Sequence, residues 1–219
     1  MCSAKIRHGT LLCCASAAAM SLATALIAAP LTVYNTGVDN SGNAWGSGGV
    51  PDIHYSLIAQ PGSGIAQTVT DTAYPFPPWL VNNSGSRWIG PAADANGPGG
   101  NYVYRTTFNV PNNAVLSSVS ITGDWASDDP GTDIKINGTS TGQTSSSYSA
   151  LTPFSVNSGF VLGINTLDFF VTNAFNFVNP TGLRVDHIAG SYQIPEPTAL
   201  ALACGGMIVG CVLRRRRRC

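Results

Sequence analysis

From residue 30 to residue 193 the chain has no cysteine, no glutamate and only four strongly basic side chains: Arg87, Arg105, Lys135 and Arg184. The missing cysteine excludes a disulfide framework, a thiol nucleophile and a cysteine-ligated zinc from this stretch. The body must therefore be held by its own apolar core, for which about 160 residues suffice. The shortage of Lys and Arg excludes nucleic acid as a partner, because phosphate contacts require them. Against those four cations stand ten aspartates, which leave the body at a net charge of −6 although all 219 residues sum to zero. A long amphipathic 3.6-residue pattern is also missing, and with it any expectation of helices in the body. So is a Gly-x-Ser-x-Gly elbow. Histidine is confined to His54 and His187 there, and His187 follows Asp186 in a strand-like run where neighbours face opposite ways. Nothing assembles an acid, a base and a nucleophile, so the chain is not read as an enzyme.

What the body lacks is gathered at the ends. Cys2, Cys13 and Cys14 lie in the first 14 residues, and Cys204, Cys211 and Cys219 in the last 16. Residues 1–29 open with Lys5, Arg7 and His8 and continue as an Ala-rich apolar run, the layout of a secretory signal peptide forming a signal helix. Cleavage after Ala25 places small residues, Ala23 and Ala25, at the third and first positions before the scissile bond. Cleavage after Ala29 would put Pro30 next to it.

Residues 194–219 read IPEPTALALACGGMIVGCVLRRRRRC. Uncharged residues 198–213 would form a helix about 24 Å long, a short transmembrane helix against a hydrocarbon core of about 30 Å. Arg214, Arg215, Arg216, Arg217 and Arg218 would stay cytoplasmic, leaving the body outside. Pro195, Glu196 and Pro197 precede the apolar segment, and Glu196 is the only glutamate in the chain. The flanking prolines disfavour helix and hold the tripeptide extended. This triplet, apolar segment and arginine cluster resemble the PEP-CTERM sorting domain of Gram-negative bacteria that make exopolysaccharide. The resemblance covers about the last 26 residues. It implies transient membrane anchorage, recognition by an exosortase, cleavage near the triplet and delivery to the cell surface or extracellular matrix. Cys219 after the arginines departs from the usual pattern. A plain single-pass anchor is the rival reading.

The body, 30–193, shows short alternating apolar runs. The clearest is YVYRTTFNV, 102–110, with Tyr102, Tyr104, Thr106, Phe108 and Val110 on one face. Further strands are expected at 31–35, 53–59, 116–123, 133–137, 154–162, 166–173 and 183–192, separated by turn clusters such as Asp129-Pro130-Gly131 and Asn137-Gly138. Eight or so strands without helices predict an all-β fold, an antiparallel β-sandwich of jelly-roll type. Residues 101–192 resemble the galactose-binding-like jelly roll of many carbohydrate-binding modules, on Trp125, Asp128 or Asp129, Asn137-Gly138 and Asn165-Thr166-Leu167. That resemblance speaks to framework and little to ligand.

Two constellations remain as binding candidates. Trp45, Trp79 and Trp88, with Tyr74, lie in or beside Pro- and Gly-rich loops and offer faces for carbohydrate contact, although sandwich cores also use such residues. Asp124, Asp128, Asp129 and Asp133 gather oxygen ligands suited to a metal such as Ca²⁺, yet an aspartate turn closing on its own backbone has the same appearance. Asn82-Asn83-Ser84 and Asn137-Gly138-Thr139 match N-glycosylation sequons, and 139–149 is a Ser/Thr-rich stretch suited to O-linked sugar or to plain solvation. The expected role is structural or adhesive within exopolysaccharide, the alternative a carbohydrate-binding module at the surface.

Overall fold

The alternation at 102–110 becomes most of a long strand whose Tyr102, Tyr104, Thr106, Phe108 and Val110 are buried while Thr107 and Asn109 face water. The computed structural model describes residues 26–196 apart from 47, 73 and 74, so the expected terminal helices and Tyr74 lie outside the described residues. Thirteen strands are described: β1 (Leu26–Leu31), β2 (Tyr55–Ala59), β3 (Gln67–Thr68), β4 (Ile89–Gly90), β5 (Asn96–Gly97), β6 (Gly100–Val110), β7 (Val115–Asp128), β8 (Gly131–Ile136), β9 (Thr139–Ser140), β10 (Thr152–Val156), β11 (Gly163–Asn173), β12 (Asn179–Pro180) and β13 (Gly182–Pro195). No helix occurs among the described residues. One antiparallel sheet runs β10-β7-β13-β4-β3, with β1 also paired to β13; the second runs β2-β6-β11-β8-β9. The fold is all-β, an antiparallel sandwich of jelly-roll type.

Between the sheets lie Tyr55, Tyr102, Tyr104, Ile121, Trp125, Leu167 and Phe169, all buried. Each large apolar side chain removed from water contributes about 1.5–3 kcal/mol. Gly131 lies directly against the Trp125 ring, where a Cβ would overlap Cη2 and Cζ3, so the turn into β8 has room only for glycine. A second cluster forms on the opposite face of the first sheet. Alternation along β7 turns Trp125 inward and Ala126 outward, and Val69, Trp79, Trp88 and Ala95 close over Ala126. Long connections between 60 and 95 therefore form an outer layer rather than free loops.

That layer is pinned by ions. Arg184 of β13 donates to Ser86 Oγ (2.8 Å), to the Val81 carbonyl (2.6 Å) and to Asp186 Oδ2 (3.2 Å). Asp186 also accepts from Asn83 Nδ2 at 2.9 Å. Both charged side chains are almost fully buried. Hydrogen bonds from Asn83, Ser86 and the His187 N–H, with the Arg184 charge, outweigh burial and hold the Asp186 carboxyl below its ordinary value. This sharing is how a buried ion pair stays tolerable.

Two sequence expectations are corrected here. The first strand is Leu26–Leu31 rather than 31–35, because Leu26 to Leu31 pair in unbroken register with Pro195 to Gly190. Residues 26–29, grouped with the signal segment on sequence, are thus strand; an Ala-rich apolar run looks alike in either role. Residues 154–162 split into β10 and a turn, since Val156 ends the pairing with β7 at Ile121.

The register also fixes two ends. At one, β13 ends and β1 begins with Leu26 opposite Pro195, β7 begins with Val115 opposite Gln193, and Val110 lies opposite Gly163. At the other, Gly182 lies opposite Asp128 and Asn173 opposite Gly100. The first is called the chain-exit end below, the second the far end.

Candidate functional site

The residues selected on sequence do not converge. Trp88 is fully buried and donates its Nε1–H to the Leu80 carbonyl at 2.9 Å. Trp79 is 3% exposed, its ring 4.2 Å from that of Trp88, and its Nε1–H donates to Asp128 Oδ2 at 2.7 Å. Neither ring presents a face to a sugar, which corrects the carbohydrate-contact expectation for both: the apolar outer face of the first sheet needed cover and drew them in. Trp45 is half-buried, so part of its surface stays outside.

The four aspartates likewise disperse. Asp124 Oδ2 lies 3.1 Å from His187 Nδ1. Asp128 accepts from Trp79, Asp129 Oδ2 accepts the Ala174 N–H at 2.7 Å, and Asp133 Oδ1 accepts the Gly142 N–H at 3.1 Å. Each carboxylate serves a different segment. Among the described residues no group of three or more His, Cys, Asp or Glu is placed to hold a metal ion. Burial pushes the Asp128 carboxyl up to about 6, the Trp79 indole pulling against it and the adjacent Asp129 adding to it. Asn82 is engaged with Asp71 and Asn137 with Asn165, so both sequon asparagines have side-chain partners. Of the sorting motif, Pro195 ends β13 and Glu196 is exposed; Pro197 and the five arginines lie outside the described residues.

The surface feature that stands out was not selected on sequence. Between β11 and β12, NAFNFVN (173–179) turns at the far end and exposes Phe175 (65%), Phe177 (62%) and Val178. The two rings stack at 5.2 Å with an interplanar angle of 17°. Each ring gives one face to its neighbour and leaves the rest to water.

The loop is tightly supported. Asp129 anchors the Ala174 N–H; Asn179 Nδ2 donates to the Ala174 and Phe177 carbonyls, both at 3.0 Å. Asn173 Nδ2 donates to the carbonyls of Gly97 (3.0 Å) and Pro98 (3.1 Å). Phe175 has φ +70°, a left-handed conformation that is costly for a bulky residue. Gly99 passes so close to the Phe175 carbonyl oxygen that a Cβ there would collide with it. An exposed phenylalanine held in a strained conformation by so many bonds is arranged rather than left over. On sequence, the i, i+2 spacing of Phe175 and Phe177 merely continues the alternation of the preceding strand, which hid it.

Two clefts lie elsewhere on the surface. One, about 300 Å³, is lined by Asp71, Phe76, Pro77, Val81 and Asn82. The other, about 370 Å³, runs along β9 and β10 and is lined mainly by hydroxyls and amides, among them Thr139, Gln143, Ser155 and Asn157.

No protein-family model matches the chain, and no curated protein matches it. Solved structures give a loose likeness to carbohydrate-binding modules. A mutant of the module CBM29-2 complexed with mannohexaose is 17% identical, covers 63% of this chain and 90% of its own, and has a TM-score of 0.30. A "carbohydrate binding module family29" structure gives 17% identity, 63% and 87% coverage and the same TM-score. The fold assignment rests on the strands themselves.

Proposed function

We propose that this chain is an exported, surface-displayed β-sandwich that adheres to polysaccharide without catalysis, and that Phe175 and Phe177 make the contact. The exposed, braced stack of those two rings carries the reading. A pyranose ring presents a face of C–H bonds, which complements the negative face of an aromatic ring. Bracing lowers the ordering cost of binding. The neighbouring amides and hydroxyls, Asn101, Asn176 and Thr172, suit hydroxyl groups, and no cation lies in 171–182 to favour a phosphate or acidic polymer. The engagement of Asp124, Asp128, Asp129 and Asp133 in local structure supports adhesion over hydrolysis.

Affinity electrophoresis through gels containing neutral polysaccharides, including the matrix polymer of the producing cells, tests this. Retardation of the native protein that disappears in a Phe175→Ala/Phe177→Ala variant is the expected result. Unchanged retardation in that variant would remove the site, and free migration of the native protein in every gel would remove the function.

Sorting belongs to the same proposal. The signal is removed after Ala25, sparing β1, and an exosortase acts near Pro195, Glu196 and Pro197, where Pro195 ends β13 and both it and Glu196 are exposed. The intact mass of the protein recovered from cell surface or matrix should then correspond to a species beginning at Leu26 and ending near 195–197. A recovered species retaining Arg214 to Arg218 would favour the plain anchor.

A further inference from the structure

We infer that the chain-exit end of the sandwich is a lipid-facing surface, which rests on the proposed membrane placement of residues 198–213. Six of the eleven exposed large aliphatic side chains among the described residues lie there: Leu26 and Ile27 on β1, Leu116 at the start of β7, Val161 and Leu162 in the turn before β11, and Ile164; the other five, Ile53, Ile58, Ile65, Val81 and Val178, are spread over other segments. Ile164 is 68% exposed and Val161 48%. The segments that build this end, 26–34, 108–122, 155–166 and 188–195, contain no Asp, Glu, Lys, Arg or His. A surface without charges avoids the large cost of desolvating ions at the headgroup boundary, where its exposed amides and hydroxyls, such as Asn112, Asn113 and Asn157, keep hydrogen-bonding partners and its Leu, Ile and Val side chains gain.

The covalent connection names the occupant. Only Glu196 and Pro197 separate the end of β13 from uncharged residues 198–213, and two extended residues reach at most about 7 Å. Sixteen uncharged residues are fewer than the about 20 a helix needs to span the hydrocarbon core, and short segments draw their flanks toward the interface. Until cleavage near 195–197 removes that segment, a body tethered this closely rests on the outer leaflet, and the end it rests on is the uncharged one. With no Lys or Arg in these segments the contact is uncharged and indifferent to anionic headgroups, unlike a basic surface. The far end, with Asp94, Asp128 and Asp129, is held off the membrane and faces the matrix.

The test uses the full chain in phosphatidylcholine and phosphatidylethanolamine vesicles, with a photo-crosslinking benzophenone amino acid in place of Leu162 or, separately, of Phe177. Alkaline extraction comes first, and release of the chain there refutes the membrane placement on which the inference rests. For retained chain, lipid adducts at position 162 at least about tenfold above those at 177 are expected for an interfacial contact. Equal yields at both positions, or adducts at 162 joining two protein chains in place of lipid, would overturn the lipid-facing end while leaving the polysaccharide reading untouched.

Discussion

Both ends of the sandwich expose apolar side chains, and they differ in everything around them. At the chain-exit end, Leu26, Ile27, Leu162 and Ile164 are aliphatic and sit in segments without a single charge. At the far end, Phe175 and Phe177 are aromatic, stacked, and bound into a loop by Asp129, Asn173 and Asn179. Exposure alone says little, since scattered apolar surface is normal. The company an exposed side chain keeps decides what it can meet. Flexible aliphatic chains among neutral neighbours suit a disordered apolar phase. Flat rings fixed among amides suit a ligand with its own faces and hydroxyls.

The most severe way to break this comparison is to break the strand that joins the two ends. β13 runs from Gly182 at the far end to Pro195 at the exit, and Arg184 and Asp186 fasten the outer layer to it. Asp186→Ala leaves the Arg184 guanidinium buried without its carboxylate, and we expect a loss of about 3–5 kcal/mol in urea unfolding. Trp88→Ala, which on sequence looked like a test of sugar binding, should cost a similar amount, about 3–5 kcal/mol, by opening a cavity against Trp79. Loss of both ends' behaviour together would follow in each case. A shift of under about 1 kcal/mol in either variant would show that the outer layer is dispensable.

A sharper cut separates the ends. Phe175→Ala/Phe177→Ala should lower polysaccharide retention by at least about tenfold, equivalent to roughly 1.4 kcal/mol, with little change in melting temperature because both rings are exposed. Leu162→Ser/Ile164→Ser should leave retention intact. If the aliphatic pair mattered for retention and the aromatic pair did not, the assignment of the two ends would be reversed.

How much of this could be read from residues follows from where each signal lives. The period-two run at 102–110, the turn clusters and the absence of helix pattern sufficed for an all-β sandwich, because alternation is a local consequence of one buried face. Trp79 and Trp88 misled because a tryptophan beside prolines looks the same whether it projects or caps a sheet; only the outward-turned Ala126, small enough to need covering, decides. Phe175 and Phe177 escaped because their spacing extends the rhythm of β11. What sets them apart is non-local: Asp129 and Gly99, distant in sequence, bend the chain there.

Removing one brace tests whether the far loop is arranged. Asp129→Ala deprives the Ala174 N–H of its acceptor while leaving both rings in the sequence. A lost hydrogen bond of this kind costs about 1 kcal/mol, so retention should fall roughly fivefold, between the native protein and the double phenylalanine variant. Retention equal to that of the native protein would mean that the stack needs no support from Asp129.

The smallest expected difference is in pH response, and it too should distinguish the ends. Asp128 sits at the far end with its carboxyl at about 6, above the ordinary 3.8, chiefly through burial. The folded state therefore binds this proton more tightly than the unfolded chain does. Its contribution to stability is fully present below pH 3.8 and is lost as pH rises through about 6. Asp186, held below its ordinary value, acts oppositely and only at more acidic pH, so the two effects do not overlap. Asp52, raised by burial, adds to the same trend, which is why the variant is needed. Asp128→Asn should flatten part of the fall in melting temperature between pH 4.5 and 7. Amide exchange, corrected for its intrinsic pH dependence, should show 173–181 loosening over that interval in the native protein and less so in the variant. Residues 108–118, in a stretch with nothing to titrate, should stay level in both.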